Sequence, residues 1–273
     1  MNMHNYLQIA IAAALKAGEE IMEVYKDAID VEYKEDRSPL TAADKRAHAV
    51  IFQRLTETHL PILSEEGKSI AFEVRKNWER FWLVDPLDGT KEFIKRNGEF
   101  TVNIALIDTH NPVAGVIYVP ATGSLYFGST DTGSFKVLQA HQHVTSDMSD
   151  ASLYDSLKAV AIPLPNIRPG RPFTVIASRS HLSDDTASFI DTLKKQHGEL
   201  TFISKGSSLK ICLVAEGEAD VYPRLAPTME WDTAAGHAIA RGAGCKVSVW
   251  PQGNELLYNK ENLLNPFFVV AGK

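Results

Sequence analysis

The chain has 273 residues, of which 44% are hydrophobic and 23% are charged. This is an ordinary globular composition, and the length suffices for one large core or two smaller ones. A net charge of −6 argues against a general nucleic-acid binder, since such proteins usually carry a basic face. The apolar run at residues 9–15 is too short to span a bilayer, so a cytoplasmic protein is expected. Cys212 and Cys245 follow no metal or redox spacing and are interpreted as small buried side chains.

The first part of the chain is predicted to alternate helices with short strands. Apolar side chains recur at three- and four-residue steps over residues 5–26, which indicates an amphipathic helix. Thr41-Ala42-Ala43-Asp44 opens a second helix that extends to about residue 55. Thr41 is its expected N-cap, and Asp44 takes the place of the glutamate of a capping box. A loop or lid is expected at residues 67–80. Strands are predicted at residues 31–34, 62–63, 81–84, 100–107, 113–119 and 124–128.

The second part restarts this alternation after a weakly patterned segment. A proline-rich linker is predicted at residues 151–172, between an N-terminal α+β part (1–150) and a C-terminal α/β part (173–273). Further strands are predicted at residues 173–177, 200–204, 220–222 and 247–250, and further helices at residues 183–197, 207–216 and 233–241. The expected fold class is therefore mixed, α/β (α+β).

The segment Asp85-Pro86-Leu87-Asp88-Gly89-Thr90 is the most informative part of the sequence. It breaks the apolar run at residues 81–84 with two carboxylates three residues apart. Carboxylates at a strand end, beside a glycine, form a hard-oxygen site suited to Mg²⁺, which usually acts together with substrate phosphates. Asp85 and Asp88 are candidate metal ligands, and the Leu87 carbonyl is a further one. Gly89 and Thr90 are candidates for presenting N–H groups to phosphate, and Thr90 for positioning an attacking water.

Two other structures are conceivable for this segment. An EF-hand loop is excluded, because the acidic residues do not fall at its ligand positions and no terminal glutamate follows. A hairpin turn at Asp88-Gly89 stays open, since Asp-Gly between apolar runs is a strong turn signal.

Two further acidic segments contain candidate ligands for the same metal site. Glu65-Glu66 follows a short apolar run; paired glutamates are usually solvated, but after a strand one of them becomes a candidate metal ligand. Asp232 is a candidate metal ligand or the N-cap of the following helix, and the two roles are compatible. Asp44 has the same ambiguity. The residues together indicate metal-dependent phosphate chemistry.

These segments resemble the two signatures of the inositol monophosphatase-like phosphatases, a Mg²⁺-dependent and lithium-sensitive family. The resemblance covers nearly the whole chain and implies a layered α-β-α-β-α sandwich of the inositol monophosphatase and fructose-1,6-bisphosphatase type. It implies two to three Mg²⁺ ions. One is held by Glu65, Asp85 and the Leu87 carbonyl, a second by Asp85, Asp88 and Asp232, and a third, weaker ion by Glu65 and water.

The same resemblance gives Asp44 and Thr90 the role of orienting and helping to deprotonate the nucleophilic water. Within the family, Lys91-Glu92-Phe93 and the residues that follow look like the bacterial 3′(2′),5′-bisphosphate nucleotidases. Two later segments agree, one at residues 178–181 and one at residues 206–210. The implied substrate contacts are Glu65, Leu87, Asp88, Gly89, Thr90, Ser178, Arg179, His181, Gly206, Ser207, Ser208, Lys210 and Asp232.

The implied activity is hydrolysis of the 3′-phosphate of 3′-phosphoadenosine 5′-phosphate (PAP) to AMP and phosphate, which recycles a by-product of sulfate activation. The sulfated nucleotide, PAPS, is a further expected substrate. An inositol monophosphate or sugar-phosphate phosphatase is the alternative, and a non-catalytic sensor on the same fold is disfavoured because all the implied ligands are present. A small nucleotide is the expected partner, with no nucleic acid and no transmembrane segment. The chain is expected to be a monomer or homodimer. Peripheral association with the cytoplasmic side of the inner membrane, suggested for some relatives, has no visible anchor in the sequence.

Overall fold

The computed structural model describes residues 1–27, 31–33, 39–177 and 183–273. The helices are α1 (Met3–Lys26), α2 (Ala42–Thr56), α3 (Phe72–Arg75), α4 (Thr90–Ile94), α5 (Asp150–Ala159), α6 (Asp184–His197), α7 (Leu209–Glu216) and α8 (Glu230–Gly242), and a 3₁₀ helix covers Ala140–His143. The strands are β1 (Val31–Tyr33), β2 (Pro39–Thr41), β3 (Ile62–Ser64), β4 (Arg80–Asp88), β5 (Thr101–Asp108), β6 (Asn111–Val119), β7 (Ser124–Ser129), β8 (Gly133–Val137), β9 (Ile162–Leu164), β10 (Thr174–Ile176), β11 (Thr201–Ile203), β12 (Val221–Arg224), β13 (Lys246–Val249) and β14 (Phe268–Ala271).

The strands of the described residues form two large sheets and one short ribbon. Strands β3 to β9 lie side by side in chain order in a seven-stranded sheet, in which β3 runs parallel to β4 and every later pair is antiparallel. The five-stranded sheet has the order β11-β10-β12-β14-β13; its first three strands are parallel to one another, and β14 is antiparallel to both of its neighbours. Strands β1 and β2 form the antiparallel ribbon.

Helices and sheets stack in five layers. Helices α1, α2 and α5 cover one face of the seven-stranded sheet around a core that includes Leu7 and Ile51. Helices α7 and α8 fill the space between the two sheets, and α6 covers the outer face of the five-stranded sheet, where Ile190 packs near Val175. This arrangement confirms the predicted layered α-β-α-β-α fold. In the part of the chain that the structure describes, every helix is too short or too polar to serve as a bilayer-spanning segment.

The start of α2 has the local structure that its sequence predicts. Thr41 Oγ1 accepts a hydrogen bond from the Ala43 N–H over 3.2 Å, and Asp44 Oδ2 accepts one from the Thr41 N–H over 2.7 Å. These two bonds satisfy backbone donors that the first turn of a helix leaves unpaired. The capping box is therefore confirmed, with Asp44 as its acidic member.

The weakly patterned segment contains more regular structure than predicted. Helix α5 begins after the N-cap Ser149, and β9 pairs antiparallel with β8, so that Pro163 lies opposite Phe135. Helix α5 was not predicted because it buries only Leu153, Tyr154 and Leu157 along its ten residues, which gives too weak a helical pattern in the sequence. Residues 151–164 thus contribute α5 to the helical layer on the seven-stranded sheet and β9 to the sheet itself. The division into parts 1–150 and 173–273 stays a prediction.

The predicted loop or lid at residues 67–80 contains α3 and is tied to the C-terminal segment. The Arg75 side chain is buried and donates to Asn259 Oδ1 over 2.9 Å and to the Glu261 carbonyl over 2.8 Å. Asn259 Nδ2 in turn donates to the Arg75 carbonyl over 2.8 Å. Reciprocal buried bonds of this kind hold the segment in place rather than leave it free to open.

Gly115 of β6 lets α8 approach the seven-stranded sheet closely. A Cβ atom at this position would lie 2.3 Å from the Ala235 carbonyl oxygen and 3.0 Å from the Ala238 Cβ. Gly115→Ala is therefore expected to lower the free energy of unfolding by about 1–3 kcal/mol, because the helix must move away from the sheet. Urea unfolding of this variant measures the loss. Gly67→Ala is the control, because Gly67 has no left-handed φ and an added Cβ would come no closer than 3.2 Å to a neighbour, the Ser64 carbonyl oxygen. Equal stability of Gly115→Ala and the unaltered chain would contradict the close packing.

Candidate metal centre and substrate pocket

The Asp85–Asp88 segment forms a bulge where β4 pairs with β5. Asp85 lies opposite Asn103 and Asp88 opposite Thr101. Between these pairs, Pro86 and Leu87 of β4 together face the single residue Val102 of β5. Pro86 suits this position because it has no N–H that would need a partner, and the Leu87 N–H donates to Asp85 Oδ1 over 3.0 Å. The bulge places both carboxylates at the end of one strand.

The chain continues from this bulge into a helix, which shows that the hairpin-turn alternative is wrong. Gly89 adopts a left-handed conformation with φ of 91°, and α4 begins at Thr90. A side chain at residue 89 would be strained at this φ value and would also lie 3.1 Å from the Glu99 carbonyl oxygen. Glycine thus lets the backbone turn sharply beside Asp88.

Three carboxylates from distant parts of the chain meet beside this bulge. One oxygen from each of Glu65, Asp85 and Asp232 lies within 4.8 Å of the other two, so the group could hold a metal ion. Glu65 follows β3, which runs parallel to β4, and Asp232 comes from the first turn of α8. Glu65, rather than Glu66, thus contributes the glutamate of this cluster.

Burial and mutual repulsion raise the pKa values of these carboxyl groups. Burial raises the pKa of Asp85 well above its ordinary value, and the negative charges of Glu65, Asp88 and Asp232 raise it further. Burial and then the charge of Asp88 raise the pKa of Asp232 to about 7. Buried like charges at such short distances are stabilised by a multivalent cation, and carboxylate oxygens are the ligands that Mg²⁺ prefers. The donor set therefore fits a hard divalent metal.

Asp232 lies inside the first turn of α8 rather than at the predicted N-cap. The helix begins at Glu230, three residues earlier than predicted, and Asp232 Oδ2 accepts a hydrogen bond from the Met229 N–H over 2.8 Å. The side chain thus caps the helix from its third position while it contributes an oxygen to the carboxylate cluster.

Asp44 and Thr90 form a pair at the edge of this cluster. Thr90 Oγ1 donates to Asp44 Oδ1 over 3.2 Å and also lies 3.3 Å from the Leu87 carbonyl oxygen. Asp44 is buried, and burial is the largest cause of the rise in its pKa; the charge of Glu66 adds to it, while the bonds from Thr41 and Thr90 oppose it. The predicted water-orienting residues therefore lie together.

A pocket of about 230 Å³ extends from the carboxylates to a group of basic side chains. It is lined by Asp88 and Asp232 at one end and by Lys205, Lys210 and Arg224 along its wall. A second cavity of about 310 Å³ continues from it, because the two share these three basic residues and Tyr222. Together they form one groove between the metal centre and the edge of the five-stranded sheet.

The implied substrate residues of the second half are only partly described. Gly206, Ser207, Ser208 and Lys210 all line the pocket. Ser178, Arg179 and His181 lie outside the described residues.

Two residues that support the wall of this pocket were not predicted from the sequence. Glu99 Oε2 accepts a hydrogen bond from the Gly206 N–H over 2.7 Å and holds the 206–208 turn in place. Asn103 donates to Ser208 Oγ over 2.7 Å.

The model of the inositol monophosphatase family matches residues 2–267, and the chain belongs to that family. Among curated relatives, the 3′(2′),5′-bisphosphate nucleotidase CysQ of Salmonella typhimurium is 46% identical over 94% of this chain and 96% of its own length. The protein of the same name from Escherichia coli K12 is 44% identical with the same coverage. Among solved structures, CysQ from Bacteroides thetaiotaomicron has 51% identity and a TM-score of 0.89 over 99% of this chain and 98% of its own. The predicted family is thereby confirmed.

The stability of the metal-free protein is expected to fall as pH rises from about 4 to about 7. The pKa of Asp232 is about 7 in the folded chain and 3.8 as its ordinary value, so in this window the folded state keeps a proton that the unfolded state releases. Its stabilising contribution is complete below the lower value and is lost as pH rises through the higher one. Asp85, whose pKa is also raised, acts in the same direction.

Scanning calorimetry in EDTA between pH 5 and pH 8 measures this loss. Added Mg²⁺ is expected to restore stability at the higher pH, because the cation binds the ionised carboxylates. Asp232→Asn should flatten the pH dependence in EDTA. Unfolding temperatures that rise with pH in EDTA would contradict the repulsion within the cluster.

Proposed function

We propose that the protein is a Mg²⁺-dependent 3′(2′),5′-bisphosphate nucleotidase that converts PAP to AMP and phosphate. The observation that carries the proposal is the single groove in which Asp88 and Asp232 lie beside the basic side chains Lys205, Lys210 and Arg224. The relatives named CysQ carry the same activity in their names and align with nearly the whole chain. Two phosphates on one small molecule match the acidic metal centre and the basic side chains of this groove.

The metal end takes the phosphate that is cleaved. Glu65, Asp85, Asp88, Asp232 and the Leu87 carbonyl are the proposed ligands of two Mg²⁺ ions, with a third, weaker ion at Glu65. When bound, Mg²⁺ supplies Lewis-acid activation of water and stabilises charge on the phosphoryl group and the leaving oxygen.

The basic end takes the second phosphate. Lys210 is half-buried, and burial lowers its pKa while the charge of Asp88 opposes that effect, so the ammonium group is poorly solvated and available to an anion. Among the described residues, Arg224 Nε is buried without a hydrogen-bond acceptor. A phosphate oxygen would satisfy that donor. An inositol monophosphate has no second phosphate to use these groups, which favours the nucleotide over the alternative substrate.

The residues of the chain position the attacking water and remove its proton. Thr90 Oγ1 donates its own proton to Asp44 Oδ1, so its free lone pairs are left to accept a hydrogen bond from the water. Asp44 is the proposed acceptor of the proton that the water loses, because its pKa is raised toward neutral pH. Phosphoryl transfer depends mainly on such positioning and on charge stabilisation.

Phosphate release from PAP, 3′-AMP, PAPS and inositol 1-phosphate, with Mg²⁺ and with EDTA, tests the function. We expect the highest kcat/KM for PAP, no release in EDTA, and inhibition by lithium. 3′-AMP carries the scissile phosphate without the second one and is expected to react more weakly. Preference for inositol 1-phosphate would keep the metal centre and overturn the substrate, whereas no release from any of the four would overturn the proposed activity.

A further inference from the structure

A buried chain of hydrogen bonds ends on the Asp88 carboxylate. Thr101 Oγ1 donates to Asn103 Oδ1 over 2.9 Å, and Asn103 Nδ2 donates to Ser208 Oγ over 2.7 Å. Ser208 Oγ then donates to Asp88 Oδ2 over 2.8 Å. Thr101, Asn103 and Ser208 are 0%, 1% and 3% exposed, so water does not compete for these bonds. The chain of donors runs in one direction, toward the carboxylate.

The first bond of the chain sets the direction of the others. Because Asn103 Oδ1 accepts a hydrogen bond from Thr101, Asn103 Nδ2 faces Ser208. The same nitrogen lies 3.4 Å from Asp88 Oδ2. Both residues belong to β5, directly opposite the bulge: Asn103 pairs with Asp85 and Thr101 with Asp88. Strand β5, which pairs with the bulge, therefore supplies groups that orient the Asp88 carboxylate.

Ser208 joins this strand to the other half of the site. Its Oγ atom lies 2.7 Å from the Asp232 main-chain oxygen as well as 2.8 Å from Asp88 Oδ2. A hydroxyl has a single proton, and an ionised carboxylate is the stronger acceptor of the two. Ser208 therefore lies between the ends of β4 and α8, which carry two proposed ligands of the same metal ion.

We propose that Ser208 and Asn103 are positioning residues that hold Asp88 against Asp232 for metal binding. Ser208 would then have this role in place of the substrate contact that the family resemblance implies. Its hydroxyl has three polar neighbours within the protein and almost no exposed surface, which leaves no group for a ligand. The inference rests on the metal role of Asp88 and Asp232 proposed above, but it does not depend on which substrate the protein cleaves.

The bonds to Asp88 Oδ2 fix one oxygen of the carboxylate and leave the other for a cation. Groups that orient metal ligands in this way typically change metal affinity by about 10- to 100-fold when they are removed. Substrate affinity should change much less, because three groups of the protein already surround the Ser208 hydroxyl and the Asn103 side chain does not line the pocket. These two expectations separate a positioning role from substrate contact.

Ser208→Ala and Asn103→Ala test the proposal through titration with Mn²⁺ alone, followed by electron paramagnetic resonance. Both variants are expected to bind Mn²⁺ about 10- to 100-fold more weakly than the unaltered chain. Kinetics should show a higher Mg²⁺ requirement, recovery of kcat at high Mg²⁺ concentration, and an unchanged substrate KM. Ser208→Thr keeps a hydroxyl and is expected to restore most of the metal affinity.

Ser134→Ala is the matched control. Ser134 is a buried serine that donates to the Ile239 carbonyl in α8 over 2.7 Å, so its replacement removes a similar bond far from the carboxylates and should leave Mn²⁺ binding unchanged. Normal Mn²⁺ affinity in Ser208→Ala together with a raised substrate KM would overturn the proposal and make Ser208 a substrate contact. If Ser208→Ala fails to fold, Asn103→Ala decides the question by the same titration.

Because this readout uses the metal alone, it is independent of the proposed activity. Weakened Mn²⁺ binding in a protein that does not cleave PAP would support the positioning role and contradict only the substrate.

Discussion

Asp85→Asn is expected to lower kcat by a factor of roughly 10³ while it raises the unfolding temperature of the metal-free protein. The carboxylate is a proposed ligand of both metal ions, so its loss removes the charge stabilisation on which phosphoryl transfer depends. Burial, and then the charges of three neighbouring carboxylates, raise the pKa of the same group, and an uncharged side chain of equal size removes both the buried charge and the repulsion. Phosphate-release kinetics and calorimetry in EDTA measure the two effects.

Because kcat is expected to fall while the unfolding temperature rises, the experiment distinguishes loss of a metal ligand from loss of the fold. A misfolded variant would lose both activity and stability, whereas loss of a metal ligand costs activity alone. Asp108→Asn is the control: Asp108 pairs with Arg80 at the other end of the β4–β5 pair, and both side chains are more than a third exposed. That variant should keep its activity and change stability by less than about 1 kcal/mol. Wild-type kcat with an unchanged Mg²⁺ requirement in Asp85→Asn would remove this residue from the metal centre.

Lys210→Met is expected to lower kcat/KM for PAP by about 10- to 100-fold and to leave hydrolysis of 3′-AMP nearly unchanged. A hydrogen bond to a charged group contributes about 1.5–3 kcal/mol, which corresponds to this range. The selective loss follows because only PAP carries the second phosphate that Lys210 is proposed to bind. Parallel kinetics on the two nucleotides measure the difference.

Lys246→Met replaces an exposed lysine of β13 and serves as the control for loss of one positive charge. If Lys210→Met lowered the rates on PAP and 3′-AMP equally, the lysine would act on the carboxylates Asp88 and Asp232, which also attract it, rather than on the second phosphate. Equal rates for Lys210→Met and the unaltered chain on PAP would place the second phosphate elsewhere in the groove.

The metal centre could be predicted from sequence because its residues follow local patterns. Asp85 and Asp88 interrupt an apolar strand, Glu65 follows another, and Thr41 with Asp44 forms a capping box that the structure confirms. Each pattern lies within a few residues, where sequence spacing and three-dimensional position are closely related. The structure adds that Glu65, Asp85 and Asp232 lie close together, which their spacing in the sequence alone does not predict.

Asn103 could not be found in this way, because its role depends on distant pairing. It contacts Ser208, which is 105 positions away, and its position opposite Asp85 depends on the register of β4 and β5. In sequence it is one polar residue in an apolar run. A single such residue in a buried strand has no spacing signal of its own.

The start of α8 was predicted three residues too late for a different reason. Glu230 is fully buried, and its carboxylate accepts hydrogen bonds from the N–H groups of Asn259 and Lys260 over 2.7 and 3.0 Å. In sequence Asp232 directly precedes the helical pattern and is a candidate N-cap, which places Glu230 outside the helix. Tertiary partners that come almost thirty residues later overrode that local signal.

The distribution of the carboxylates along the chain affects the order in which the protein can assemble. The cluster needs residues 65, 85 and 232, and Asp232 lies in α8, which packs between the two sheets. A chain emerging from the ribosome therefore has no complete metal centre until most of its length has been synthesised. A metal ion held by all three carboxylates would stabilise the nearly finished structure rather than act as an early nucleus for folding. Metal binding thus reports completed assembly of the layers rather than formation of any single element.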